Sequence, residues 1–92
     1  MSTRSSWRLE GRALVREWRF RDFDTALGFV EQVSHEAVDH LRRPDMCIDE
    51  FNHVRVTIAN LHHGELTLAE HRLAAKVDAV IERQHPDAVL SW

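Results

Sequence analysis

The pattern of apolar and polar positions predicts two strands near the start of the chain. Residues 7–11 read as a short extended segment that ends at a glycine turn, and the alternation from Ala13 to Phe20 is typical of a half-buried strand. One face of that strand carries three apolar side chains and an arginine that breaks the pattern, and the other face is mostly polar. The first face consists of Leu14, Arg16, Trp18 and Phe20. The second consists of Val15, Glu17 and Arg19. We predict a β-hairpin that turns at Gly11 and Arg12.

Helical spacing follows. Asp22 or Asp24 supplies an N-cap, and the helix is predicted to run to about Leu41. It ends before Pro44 because the residue that precedes a proline avoids helical geometry. Apolar residues recur at spacings of three and four positions, which places them in one buried stripe. That stripe is Ala26, Leu27, Val30, Val33, Ala37, Val38 and Leu41.

The second half of the chain repeats this order. A short apolar run, Met46 to Ile48, precedes the clearest alternation in the sequence. Its apolar positions are Val54, Val56 and Ile58. Its polar positions are His53, Arg55 and Thr57. Gly64 marks the next turn.

A second helix is predicted to begin at Thr67, because Glu70 three residues later completes a capping box. Pro86 ends this helix. Its predicted buried side consists of Leu66, Leu73, Ala74, Val77, Val80 and Ile81.

The order strand–strand–helix–strand–strand–helix predicts an α+β fold. Two amphipathic helices need one shared apolar surface, and one face of a four-stranded antiparallel sheet supplies it in a two-layer arrangement. The 92 residues include only three glycines and two prolines, so we predict one domain over residues 1–92 without a linker. The core is expected at about residues 7–83, followed by a C-terminal tail over residues 84–92.

Composition narrows the class of protein. Hydrophobic residues make up 43% and charged residues 29%, as in soluble globular chains. No apolar run approaches the roughly 18 residues that a membrane span needs, and the first residues lack a signal-peptide core. The formal net charge of −3 argues against non-specific nucleic-acid binding. We therefore predict a cytoplasmic protein that binds neither nucleic acid nor membrane.

The cysteine and the histidines suggest no metal centre and no cofactor. Cys47 is the only cysteine, which excludes an intramolecular disulfide and a cysteine-based zinc site. In its apolar run it is expected to be a buried small hydrophobe. His62 and His63, with His53 nearby, invite a metal interpretation, but adjacent side chains in extended backbone point to opposite faces. We interpret the pair as part of a polar turn.

Several short segments together resemble the pterin-4a-carbinolamine dehydratase family. They are residues 7–12 (WRLEGR), 20–23 (FRDF), 28–30 (GFV), 51–58 (FNHVRVTI), 66–67 (LT) and 73–74 (LA). The resemblance runs from residue 7 to about residue 82 and implies the fold derived above. It also implies dehydration of 4a-hydroxytetrahydrobiopterin, a lyase reaction of tetrahydrobiopterin recycling, as the activity to be tested.

The resemblance maps the family's site onto positions where this sequence departs from the pattern. The family's His-His-Pro motif is Arg42-Arg43-Pro44 here, and the histidine expected ten residues after the aromatic residue is Leu61, one position before His62. The degenerate pocket that the resemblance implies consists of Arg42, Arg43, Pro44, Phe51, Leu61 and Glu70.

Proton chemistry separates two hypotheses about function. Dehydration requires a group that gives a proton to the leaving hydroxyl and one that removes a proton from the ring nitrogen, and histidine titrates in the useful range. Arginine stays protonated and instead donates paired hydrogen bonds to carboxylates or phosphates. Arg42 and Arg43 are therefore predicted to bind a partner, although cations in the last turn of a helix also stabilise its negative end without any ligand.

The first hypothesis is a catalytically degenerate protein that binds and assembles other proteins. In its missing histidines the chain is closest in type to the pterin-dehydratase-like RuBisCO assembly factor of α-carboxysome bacteria, so RuBisCO subunits are the candidate client. The alternative is a dehydratase in which His62 or His63 acts as acid and base with Glu70, and Phe51 packs against the pterin ring. Under either hypothesis we predict a homodimer or higher homo-oligomer, because exposed sheet edges favour pairing.

Overall fold

The first two strands form the predicted hairpin. The computed structural model describes residues 7–36, 44–59, 66–84 and 86–91, and within them β1 (Arg8–Glu10) pairs antiparallel with β2 (Ala13–Phe20). Gly11 reverses the chain at φ +62°. This left-handed conformation is accessible to glycine without steric cost, which explains why the turn falls there.

The centre of the sheet is the pair formed by β2 and β4 (His53–Ala59), which are aligned from the Ala13–Ala59 pair to the Arg19–His53 pair. The strand β3 (Asp45–Asp49) pairs antiparallel with the other side of β4. The strand order is therefore β1-β2-β4-β3. The alternation predicted for β4 is confirmed, since Val54, Val56 and Ile58 are buried.

A fifth strand corrects the predicted four-stranded sheet. After a 3-10 turn over Pro86–Ala88, β5 (Val89–Ser91) pairs antiparallel with the end of β2. Ala88 and Val89 are buried, so most of the predicted tail contributes to the sheet and the core. Three residues are too few for an alternating pattern, and pairing with β2 rather than local pattern fixes this strand. Trp92 lies outside the described residues.

The first helix, α1 (Phe23–Glu36), is capped by Asp22, whose Oδ1 accepts a hydrogen bond from the Thr25 backbone N–H at 2.8 Å. Ala26 and Val33 are buried as predicted, but Leu27 is 37% exposed and Phe29 is buried instead. The Phe29 ring lies 5.1 Å from that of Trp18, so aromatic packing against the sheet determines the helix rotation. The predicted end at Leu41 lies outside the described residues, as do Ala37 and Val38.

The second helix, α2 (Leu68–Glu82), confirms the predicted capping box at Thr67 and Glu70. The predicted buried positions are confirmed, with Leu66 partly buried against them, and Glu70 is buried in addition. The confirmed positions are Leu73, Ala74, Val77, Val80 and Ile81. Both helices pack on one face of the sheet, which confirms the two-layer α+β fold. Neither helix of the described ranges is long and apolar enough to cross a membrane.

Arg16 is buried on the helix side of β2, which explains the break in that strand's alternation. Its Nη1 donates to Oδ1 of Asp78 on α2 at 2.7 Å, and its guanidinium lies 4.9 Å from the Trp18 ring centre. Trp7 Nε1 donates to the same carboxylate oxygen at 2.8 Å. One carboxylate thus ties the start of the first hairpin and the central strand to α2.

Cys47 is exposed, so the prediction of a buried cysteine is wrong. Met46 and Ile48 pack partly against the core, and successive side chains of a strand point to opposite faces. Cys47 therefore lies on the face away from the helices, opposite Arg55 of β4. A run of three apolar residues in one strand cannot face a single side.

Candidate functional site

The predicted site residues belong to three separate connections of the fold. The structure describes three of these residues. Pro44 is buried directly before β3, Phe51 lies in the turn between β3 and β4, and Glu70 lies in the first turn of α2. The other predicted site residues lie outside the described residues: Arg42, Arg43, Leu61, His62 and His63.

Glu70 is held as a helix cap. Its Oε1 accepts hydrogen bonds from the backbone N–H and from Oγ1 of Thr67, both at 2.6 Å, and the side chain is 0% exposed. A carboxylate at a helix N-terminus is stabilised by the unpaired N–H groups and by the helix dipole. This geometry gives the acidic residue a role in starting α2.

Phe51 lies on an exposed turn. Its side chain is 63% exposed, and its backbone has φ +57°, next to Glu50 at φ +50°. Both values fall in the left-handed region, where a bulky side chain is an outlier. The aromatic residue that the resemblance assigns to the pterin ring is therefore presented to the surface of the described structure.

Asn52 fixes the position of this turn. Its side-chain Nδ2 donates to the Phe20 carbonyl at 2.7 Å, and its own carbonyl accepts from the Phe20 N–H at 2.8 Å. Arg19 donates through Nη1 to Asn52 Oδ1 at 2.8 Å and through Nη2 to Glu50 Oε1 at 2.9 Å. The turn is thus attached to the end of β2 by backbone and side chain together.

The surroundings of Phe51 and Glu70 differ. The turn that carries Phe51 is adjacent to the end of β2, because the Phe20 N–H donates to the Asn52 carbonyl at 2.8 Å. Glu70 lies in the first turn of α2 and is fully buried, whereas Phe51 is 63% exposed. One of these two predicted residues is thus enclosed in the fold and the other is at its surface.

The face of the sheet away from the helices carries a chain of ion pairs that the sequence analysis missed. The Glu10 carboxylate accepts hydrogen bonds from Arg8 and from Arg55, with 2.9 Å between Arg55 Nη2 and Glu10 Oε1. Arg8 also donates a hydrogen bond to Glu17. The hydrogen bond from Arg8 is the main reason why the pKa of Glu17 lies below its ordinary value. Val15 is buried on this face.

His53 continues this chain to the edge strand. Its Nε2 lies 2.7 Å from Glu17 Oε1, and its Nδ1 lies 2.5 Å from Asp49 Oδ1. Both ring nitrogens donate together only in the imidazolium form. These contacts depend on strand register, because each partner is on a different strand, and the linear sequence gives no signal for them. The described ranges contain no group of three His, Cys, Asp or Glu side chains able to hold a metal.

A cavity of about 220 Å³ opens where the two helices end. Its described lining residues are Gln32, Val80, Arg83 and Gln84. Arg83 Nη2 pairs with Glu36 at the end of α1, so an ion pair joins the helices beside the cavity. Of the predicted site residues that the structure describes, none lines it.

Comparison with protein families and with named proteins gives a consistent result. The model of the family described as pterin 4 alpha carbinolamine dehydratase matches residues 1–80. A protein of Metallosphaera sedula, provisionally named a pterin-4-alpha-carbinolamine dehydratase, is 33% identical over 82 residues, which are 87% of this chain and 82% of the relative. A protein of Chloroflexus aurantiacus with the same name is 32% identical over 81 residues, covering 88% and 86% of the two chains.

Two solved structures share the fold. The transcriptional coactivator/pterin dehydratase from Brucella melitensis aligns with a TM-score of 0.69 at 31% identity, over 82% of this chain and 81% of that one. A pterin dehydratase-like protein identified as a RuBisCO assembly factor in the α-carboxysome aligns with a TM-score of 0.66 at 22% identity. That alignment covers 83% of this chain and 89% of the other, and it supports a common fold alone.

Proposed function

This chain belongs to the pterin 4 alpha carbinolamine dehydratase family, and we propose that within it the protein has lost the dehydration chemistry and acts as a protein-binding assembly factor. The observation that carries the proposal is the sequence Arg42-Arg43-Pro44 at the place of the family's His-His-Pro motif. Two groups that transfer protons near neutral pH are replaced by two that stay charged. The proline of the motif is retained in the sequence, and the two guanidinium groups can bind anionic groups.

The described geometry supports this proposal in two ways. Glu70 is fully buried and bound to Thr67, which accounts for an acidic residue without a substrate. Phe51 is 63% exposed, whereas Glu70 is fully buried, so the aromatic side chain is available at the surface for a partner. Both observations favour a fold retained as a scaffold over a preserved active site.

RuBisCO is the client that we propose. The support is the structural neighbour that is identified as a RuBisCO assembly factor in the α-carboxysome. Two arginines in succession fit an acidic edge of a client subunit, because guanidinium groups bind carboxylates in a bidentate manner. Chaperone-like action of a homodimer or higher homo-oligomer, in the cytoplasm, completes the proposal.

A dehydratase with a rearranged site is the second candidate, and the names of the relatives favour it. In that case His62 or His63 transfers the protons with Glu70, and Phe51 contacts the pterin. The His62→Ala variant then loses turnover, whereas on the assembly-factor proposal it leaves an already inactive protein unchanged.

The experiment that tests the proposed function is a dehydratase assay on 4a-hydroxytetrahydropterin. It compares the native chain with the double variant Arg42→His/Arg43→His. We expect no turnover above the uncatalysed rate for the native chain and a gain for the variant. Native turnover equal to that of ordinary family members contradicts the proposal, and its loss in His62→Ala then identifies the group responsible.

Binding to the client is measured separately. Purified native chain is titrated into purified RuBisCO and the complex is followed by light scattering, which also gives the mass of the chain alone. We expect a complex with the native chain and a weaker one with Arg42→Ala/Arg43→Ala. A clean monomer mass of the free chain at micromolar concentration contradicts the predicted homo-oligomer.

A further inference from the structure

The turn between β3 and β4 is the strained segment of the described structure. Glu50 at φ +50° and Phe51 at φ +57° are consecutive, and they are the non-glycine residues with positive φ in the described ranges. Left-handed backbone is disfavoured for residues with a Cβ, and a bulky aromatic is among the least suited to it. Glycine or asparagine at these two positions would make the turn more stable, because both residues tolerate positive φ.

The surroundings hold the strained backbone in place. Asn52 is buried and bound to Phe20 through two hydrogen bonds, and Arg19 binds both Asn52 and Glu50. Strained residues persist only where neighbouring contacts over-determine them, and they concentrate at binding sites and active sites. The result is an aromatic side chain presented on a rigid support.

The side chain on this support is exposed and lies among ionic groups. Phe51 is 63% exposed, directly after Glu50 and close in sequence to Asp49. Asp49 and Glu50 are themselves exposed and held by His53 and Arg19. Aromatic residues on pre-organised supports form the anchors of protein interfaces, because little conformational freedom is lost when they become buried.

We infer that Phe51 is an anchor that inserts into an apolar socket on the client protein, bordered by basic side chains that face Asp49 and Glu50. The existence of a client rests on the proposed function, whereas the residue and the chemistry of the socket come from the strained turn. The contact is independent of Arg42 and Arg43. It also differs from the pterin contact that the family resemblance assigns to Phe51.

The variant Phe51→Gly separates anchoring from structural support. Glycine accepts φ +57° freely, so the melting temperature is expected to rise. Affinity for RuBisCO, measured by the light-scattering titration, is expected to fall at least tenfold, which is the loss typical of an interface anchor. A residue with a merely structural role lowers stability and affinity together.

The matched control is Leu68→Ala, since Leu68 is also 63% exposed but lies on the unstrained first turn of α2. It is expected to leave RuBisCO affinity unchanged. Phe51→Trp keeps an aromatic anchor and is expected to retain binding within a few-fold. Glu50→Lys reverses the charge beside the anchor and is expected to slow association, with a salt dependence opposite to that of the native chain.

The outcomes distinguish this inference from the proposed function. Binding by the native chain that Phe51→Gly retains overturns the anchor and leaves the assembly role intact. If the native chain does not bind RuBisCO, the proposed function is wrong, and Phe51 is then not an anchor for RuBisCO. Loss of binding in Leu68→Ala equal to that in Phe51→Gly also overturns the anchor, because the effect is then one of general surface hydrophobicity.

Discussion

The two hairpins of the sheet both reverse the chain through left-handed backbone, but they use different residues to do so. In the β1–β2 hairpin the left-handed residue is Gly11, and apart from Gly11 itself and its two chain neighbours no atom lies within 4 Å of the position that a Cβ would take there. In the β3–β4 hairpin the left-handed residues are Glu50 and Phe51. The first turn is built for stability, and the second keeps an aromatic residue at the surface at the expense of stability.

The largest expected effect comes from releasing the support of the second turn. In Asn52→Ala the buried Phe20 carbonyl loses its side-chain donor and Arg19 loses one of its acceptors. A buried polar group left without a partner costs about 1–3 kcal/mol, and we expect a loss near the upper end of that range. Urea unfolding of the native chain and the variant measures it. A loss below about 0.5 kcal/mol contradicts the view that Asn52 holds this turn.

Placing a side chain on the first turn should have the next largest effect. Gly11→Ala puts a Cβ on backbone at φ +62° where there is space for it, so the penalty is conformational alone. The left-handed penalty of about 1–2 kcal/mol is partly offset by the lower chain entropy of alanine, about 0.5–1 kcal/mol, so we expect a net destabilisation of about 0.5–1 kcal/mol. Chemical denaturation measures the change, and Arg12→Ala at the neighbouring turn position is the control. Unchanged stability contradicts the left-handed assignment of Gly11.

Relieving the second turn should have an effect of similar size and opposite sign. Phe51→Gly removes a left-handed penalty of about 1–2 kcal/mol but adds the greater chain entropy of glycine, about 0.5–1 kcal/mol. The expected net gain is about 0.5–1 kcal/mol in the free energy of unfolding. If Phe51→Gly instead lowers the free energy of unfolding, Phe51 packs against the protein and the two hairpins do not differ in the way described.

The smallest expected effect concerns pH and the ion pairs that join the hairpins. The pKa of Glu17 lies below its ordinary value of 4.5, mainly because Arg8 donates a hydrogen bond to it. The carboxylate therefore stabilises the fold above about pH 4.5, and this contribution is lost as the pH falls through the lowered pKa. We expect less than about 1 kcal/mol, as for other partly exposed pairs.

The measurement compares the native chain with Glu17→Gln in urea from pH 3 to pH 7. The stability difference between them should be constant at the upper end and shrink toward pH 3. A difference that grows as the pH falls contradicts the assignment. Glu31→Gln is the matched control, because Glu31 lies on the exposed side of α1.

Much of the fold is readable from the sequence because long elements carry redundant signals. The strand β4 repeats its alternation three times, and Thr67 with Glu70 specifies the start of α2 by local hydrogen bonds alone. Short elements lack this redundancy. The strand β5 has three residues and exists through its pairing with β2, and the exposure of Cys47 follows from strand geometry in a run too short to alternate.

Positions that depend on packing between distant elements were the least predictable. Periodicity alone does not distinguish Leu27 from Phe29, and the rings of Trp18 and Phe20 make that choice. The ion pairs of Glu17 require the register of three strands. The sequence thus predicts the scaffold well. The grouping of the candidate site residues stays a prediction, because most of them lie outside the described residues.

The pairing of the last strand with β2 has a consequence for synthesis on the ribosome. Trp7 and Asp78, which share a hydrogen bond, are 71 positions apart, and β5 joins the sheet later still. At 5–20 residues per second, roughly 4–14 seconds pass between the emergence of these two partners. Throughout that interval the nascent chain carries Trp18 and Phe20 without the cover they have in the finished domain. Folding is therefore completed only after translation has passed Val89. Until then, protection of these exposed aromatic side chains from aggregation depends on cellular chaperones.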